Sequence, residues 1–169
     1  FAVFNNTRIM PVGDSITRGE GEVLDNNAIM ACYREFLWDD LIGRNYAVDF
    51  VGSQNSGYAI SGFDYNHEGH TSWTAAMVAD HIYQWLVDNP ADVILLHIGT
   101  NDIGVYGIQT IVNNVDRILD LIDNYESAYN KQVTVILAKI VNRKQYSSLT
   151  TSFNNLLQEL VTNRQALGD

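Results

Sequence analysis

Residues 8–19 read Arg-Ile-Met-Pro-Val-Gly-Asp-Ser-Ile-Thr-Arg-Gly, a short apolar run that ends on Gly13-Asp14-Ser15 and then turns polar. The run 8–12 has the length and apolarity of a buried strand, and the serine stands where that strand gives way to a helix. Pro11 is awkward in a central strand because it has no N–H for the ladder, so a local irregularity is expected there. Working outward, Asp49–Ser53 reads as a second strand, 93–98 as a third and 133–138 as a fourth. The last two are apolar on both faces, as parallel strands covered on both sides must be.

Helical spacing fills the intervals. Over 28–43, Ile29, Tyr33, Phe36, Leu37 and Leu41 share a face, and over 73–87 so do Val78, Ile82, Trp85 and Leu86, with Asn89-Pro90 ending that helix. Ile108, Ile111, Val112, Val115, Ile118, Leu119, Ile122 and Tyr125 keep the helical period through 107–126, and a last helix over 148–166 presents Leu149, Phe153, Leu156, Leu157 and Leu160. Strict alternation of strand and helix implies an α/β domain of three layers. It is flavodoxin-like, with a central parallel sheet in the order 2-1-3-4, strands being numbered along the sequence. The 169 residues fit one domain, 46% hydrophobic and 18% charged, which excludes a disordered chain. The net charge of −10 argues against nucleic acid and anionic membranes as partners, and a neutral substrate fits better. Cys32, the sole cysteine, reads as a small buried hydrophobe and permits no intrachain disulfide. Asn5-Asn6-Thr7 is a glycosylation tripeptide of low information.

In an open parallel sheet, ligands bind beyond the carboxyl ends of the strands at the point where the winding reverses. With order 2-1-3-4 that point is strand 1. Three polar segments fall there: 13–19, then His67-Glu-Gly-His-Thr-Ser-Trp73, then Gly99-Thr-Asn-Asp102. Ser15 at a helix start sits among unpaired N–H groups that favour an attacking alkoxide and the oxyanion it generates. The N–H groups of Ser15 and Gly69 and the Asn101 amide make a three-donor oxyanion hole. The pattern is not the Gly-x-Ser-x-Gly elbow, because position 17 is Thr.

The segments Gly-Asp-Ser-Ile-Thr-Arg-Gly, His-Glu-Gly-His-Thr-Ser-Trp and Ile-Gly-Thr-Asn-Asp, in this order, resemble the first three blocks of SGNH (GDSL-type) hydrolases. The His-Glu-Gly-His-x-x-Trp form, with Tyr33-Arg34 and Asp49-Phe-Val-Gly-Ser53 upstream, is most similar to carbohydrate esterase family three, known for acetyl xylan esterases. The resemblance implies Ser15 as nucleophile, Gly69 and Asn101 as oxyanion donors, and no required cofactor. Asp14, His70 and Trp73 are taken as substrate contacts. The implied substrate is an acetylated plant polysaccharide, the alternatives being lipid esters or thioesters.

The superfamily's fourth block, a late Asp-x-x-His that supplies the base after a fifth strand, has no counterpart before Asp169. The chain is therefore expected to be an incomplete domain whose base lies in further sequence, or a binding module with a vestigial site. Among the histidines, His97 is expected to be a hydrogen-bonded core residue and His81 to face solvent; His67 and His70 flank Gly69. Asp64-x-x-His67 mimics the missing spacing, but its place after strand two makes it a coincidence. Two readings stand for Asp64, Asn66 and Glu68: a structural calcium loop, or a solvated loop with Glu68 paired to Arg34. Two stand for Trp73 as well, a sugar-stacking platform or an inward-packed start of its helix. Without a fifth strand, segment 133–140 is an unblunted sheet edge, which implies a homodimer through it or a covering C-terminal segment. A start at Phe1 fits either a removed secretory leader, hence an extracellular protein, or a chain cut at another boundary.

Overall fold

A computed structural model of the chain describes residues 6–21, 26–142 and 147–168. Phe1 and Asn5, on which the leader and glycosylation readings rest, lie outside them. Strand β1 (Thr7–Gly13) leads into the short helix α1 (Ser15–Arg18), followed by α2 (Tyr33–Gly43) and β2 (Val48–Phe50). A two-residue strand β3 (Gln54–Asn55) and β4 (Asn66–Gly69) precede α3 (Ala75–Ala79) and α4 (Ile82–Asp88). Then come β5 (Val93–His97), α5 (Ile108–Tyr129), β6 (Thr134–Leu137) and α6 (Ser148–Leu167). The sheet order is β3-β4-β1-β5-β6, with β2 also pairing with β1. Every pairing is parallel except β3 with β4. The four strands expected from sequence thus stand in the expected order, β2-β1-β5-β6.

Alternation along the strands builds a core on each face of the sheet. Met10 and Val12 of β1 and Ile94 and Leu96 of β5 join the larger core under α3, α4, α5 and α6. Ile9 faces the other way, with Phe50, Phe63 and the Leu37, Trp38 and Leu41 side of α2. Pro11 lies in the centre of the sheet without harm. The ladder with β2 ends at Ile9, whose carbonyl accepts from Val51, and the ladder with β4 begins at Val12. Backbone groups two residues apart point the same way in a strand, so the nitrogen of Pro11 faces the gap between those neighbours, where no donor is required.

Several expectations fail at the level of faces and boundaries. By sequence β4 reads as loop, because Asn-His-Glu-Gly is too polar and short for a strand signal; its pairing with β1 overrides that. Helix 28–43 begins only at Tyr33, and Phe36 is 75% exposed while Arg34 is fully buried. The inward stripe is buried Arg34 with partly buried Leu37, Trp38 and Leu41, the 3–4 spacing displaced from the apolar set. Cys32 is exposed, not buried, and caps α2 with a positive φ of 51°. Helix 73–87 is broken at His81. The ring Nδ1 of His81 donates to the Met77 carbonyl at 2.9 Å, taking the acceptor that a continuous helix would give to its own N–H. At the edge, β6 pairs only with β5 among the described residues, and Ile136 is exposed. Beside it runs a groove of about 490 Å³ between α5, β6 and α6, lined in part by Ile122, Val135, Leu137 and Arg164.

Candidate active site

The register brings the three sequence blocks to one rim. Gly13 at the end of β1 pairs with Gly69 of β4 on one side and with His97 of β5 on the other. Two glycines are required by the closeness of the backbones. A Cβ on Gly13 would stand 2.3 Å from the His97 carbonyl oxygen, and one on Gly69 would stand 2.4 Å from the Arg18 nitrogen. The Gly13-Asp14-Ser15 turn therefore starts from a residue wedged between β4 and β5 with no space for a side chain at Gly13.

Ser15 is the first residue of α1 and half-buried; neither its hydroxyl nor its N–H has a hydrogen-bond partner among the described residues. Asp14, the cap, is fully buried and its Oδ1 accepts from Ile16 N–H at 2.9 Å. It does not point outward as a substrate contact. Burial raises its pKa, opposed by that N–H and by the adjacent His97 and Thr100. His97 departs from expectation: among the described residues its buried Nδ1 has no hydrogen-bond partner, and burial lowers its pKa against the charge of Asp14.

Asn101 donates from Nδ2 to the Trp73 carbonyl at 2.9 Å, which leaves its second amide hydrogen for a ligand. Next to it, buried Asp102 accepts from Ala75 N–H through both oxygens, at 3.3 and 3.1 Å, and so caps α3 from across the rim. Burial raises the pKa of Asp102. The block 100–102 is thereby stitched to 73–75, a link the sequence offered only as generic capping residues. Gly69 is placed beside α1, but its N–H donates to His67 Nδ1 at 2.9 Å. Turning to an oxyanion would require giving up that bond.

The histidines separate cleanly. His67 is buried, with Nδ1 accepting from Gly69 and Nε2 against the Ser56 hydroxyl at 2.8 Å, and burial holds its pKa down to about 2. Both nitrogens are engaged. His70 donates from Nε2 to Glu68 at 2.8 Å, and Glu68 also accepts from the N–H of Ser53 and, at 3.0 Å, from its hydroxyl. Glu68 therefore pairs with His70 and Ser53, not with Arg34. His70 and Trp73 stack with ring centroids 4.1 Å apart, and Trp85 and exposed His81 extend the stack, so Trp73 lies within an aromatic cluster packed on the core. Asp64 uses its oxygens on Phe50 N–H at 2.8 Å and Asn66 N–H at 3.4 Å. Among the described residues no group of three His, Cys, Asp or Glu could hold a metal.

A model of the GDSL-like lipase/acylhydrolase family matches residues 9–166. A carbohydrate esterase family 3 protein of Talaromyces cellulolyticus has the same fold with a TM-score of 0.79 and 26% identity, over 93% of this chain and 73% of its own. A family 3 carbohydrate esterase of Clostridium thermocellum gives 0.78 and 29%, over 98% and 75%. A mutant acetyl esterase with acetate ion gives 0.79 and 26%, over 93% and 73%. No curated protein matches. The family match over nearly the whole chain agrees with the wedged Gly-Asp-Ser turn and the converging rim, and the chain belongs to the GDSL-like lipase/acylhydrolase family, a family of ester hydrolases.

Proposed function

We propose that this protein is a serine esterase that removes short acyl groups, above all acetyl, from plant polysaccharide such as acetylated xylan, outside the cell. The observation that carries the reading is Ser15 at the start of α1, its N–H without a partner among the described residues, two residues after a Gly13 held between β4 and β5. The Ser15 oxygen attacks the ester carbonyl, the ester C–O bond breaks as the alcohol leaves with a proton, and water then hydrolyses the acyl-serine to carboxylate. The Ser15 N–H, the free hydrogen of Asn101 Nδ2 and a released Gly69 N–H hold the oxyanion. A proton acceptor is needed, since a serine hydroxyl alone is a weak nucleophile at neutral pH. Ser15 has no such partner among the described residues, so the base is assigned to a residue outside them. Trp73 and His70 offer the aromatic wall for a sugar ring, and no metal takes part.

Acetate release from acetylated xylan tests the reading: Ser15→Ala abolishes it, and an unchanged rate overturns it. Rates that rise with acyl length would favour a lipid esterase instead. The unpartnered Ser15 hydroxyl favours one further reading, a binding module, which zero turnover of p-nitrophenyl acetate together with retained binding of acetylated xylan would support.

A further inference from the structure

Arg34 is fully buried, and among the described residues no carboxylate lies within ion-pair distance of it. A guanidinium removed from water without a counter-ion is costly unless its donors are all met by oriented dipoles. Here each of its three nitrogens donates to at least one carbonyl. Its Nε donates to Thr17 O at 2.8 Å and its Nη2 to Arg18 O at 2.9 Å, two carbonyls at the C-terminal end of α1. Other bonds reach Met30 O, Ser56 O and, from Nη1, Tyr65 O. The cation thus sits at the negative end of the nucleophile turn, where orphan carbonyls collect. Burial lowers its pKa only to about 10, so it stays charged at neutral pH.

Ser56, also fully buried, joins this cation to β4. Its Oγ accepts from Arg34 Nη2 at 2.8 Å and donates to Arg18 O at 2.8 Å. It meets His67 Nε2 at 2.8 Å. Because His67 Nδ1 accepts from Gly69 N–H, the neutral ring must carry its proton on Nε2, and it therefore donates to Ser56. The Ser56 hydroxyl and both His67 nitrogens are thus all partnered, and the tautomer is forced by the neighbours.

We propose that Arg34, Ser56 and His67 form a positioning relay that locks the backbone of α1 to β4, and so sets Ser15 and the Gly69 N–H relative to each other. None of the three touches the substrate. They act through the carbonyls of Thr17 and Arg18 on one side and, in the resting site, through the N–H of Gly69 on the other, which an oxyanion must draw away from His67. The catalytic consequence rests on the esterase reading of Ser15; the hydrogen-bond relay itself does not.

The decisive variant is Ser56→Ala, which removes the hub hydroxyl and leaves the Arg34 guanidinium on its carbonyls. Heteronuclear NMR of the labelled chain follows the His67 ring nitrogens and the Gly69 amide, and p-nitrophenyl acetate kinetics and thermal unfolding run beside it. The parent is expected to show the Nε2–H tautomer without titration from about pH 5 to about pH 8. Ser56→Ala is expected to shift both the His67 and Gly69 resonances and to lower kcat by roughly tenfold to a hundredfold with KM within about twofold, since small misplacements of a nucleophile act on turnover. Unchanged His67 and Gly69 resonances in Ser56→Ala overturn the relay, and so does an unchanged kcat in an active parent. Should Ser15→Ala retain the parent rate, the esterase reading falls and the resonances alone judge the relay.

Discussion

Substituting Gly69 by alanine tests the close approach of β4 to the nucleophile turn. The added Cβ would lie 2.4 Å from Arg18 N and 2.8 Å from Thr17 C, both backbone atoms that cannot swing aside as a side chain does. Restoring ordinary contact near 3.4 Å requires α1 and β4 to separate by about 1 Å. Forcing a methyl into a packed backbone contact costs about 1–3 kcal/mol. For a domain of this size that is a fall in Tm of roughly 2–4 °C per kcal/mol. The same displacement moves Ser15 relative to the Gly69 N–H, and about 1 Å at a reacting centre costs on the order of a hundredfold in turnover. Differential scanning calorimetry and steady-state hydrolysis of p-nitrophenyl acetate read the two effects separately. A Gly69→Ala protein with the parent Tm and the parent kcat would refute this reasoning, because it would mean that the wedge has slack.

Asn101→Ala is expected to lower kcat by about 10²–10³-fold with KM little changed, the loss of one oxyanion donor; a rise in KM alone would move Asn101 out of the hole. His67 supplies a pH dependence of stability. Its folded pKa is depressed to about 2 from 6.5, so below about pH 6.5 the unfolded chain binds a proton that the folded chain refuses. Stability from this group is therefore full above pH 6.5 and falls as pH drops, by about 1.4 kcal/mol per unit. The urea midpoint of His67→Gln, measured from about pH 7 to about pH 5, should vary with a flatter slope than the parent's, and parallel slopes would show that His67 is not the group responsible. Arg164 of α6 bridges Asp116 and Asp120 of α5 at 2.7 and 2.8 Å and also reaches Asp123, with only 15% of its own side chain exposed. Arg164→Met removes the guanidinium that Asp116, Asp120 and Asp123 share and should cost about 1 kcal/mol, a difference that shrinks in about 0.5 M salt; a salt-independent loss would point to packing instead.

The sequence by itself determined the order of the main strands and helices and the rim on which the three polar blocks meet. Apolar runs such as 93–98 can satisfy their burial only inside a parallel sheet, and the 3.6 period of 108–125 has only one face to bury. Ser15 and Asn101 could be named as candidates because their blocks follow the first and third expected strands and together carry the family resemblance, whereas either block alone is an ordinary turn or capping segment. Tertiary structure alone decided what lies beneath the rim. Asn66–Gly69 is a strand only because β1 offers it a ladder. Arg34 turns inward, although a charged residue on a helix reads as surface, because five carbonyls from four segments converge on it. Glu68 takes His70 and Ser53, not Arg34, and His67 takes Gly69, since hydrogen-bond partners are chosen by distances that exist only once the chain is closed. Burial away from bulk solvent demands a partner for each such polar group, and that requirement, written in no single stretch of residues, fixes the Gly-Asp-Ser turn in its place.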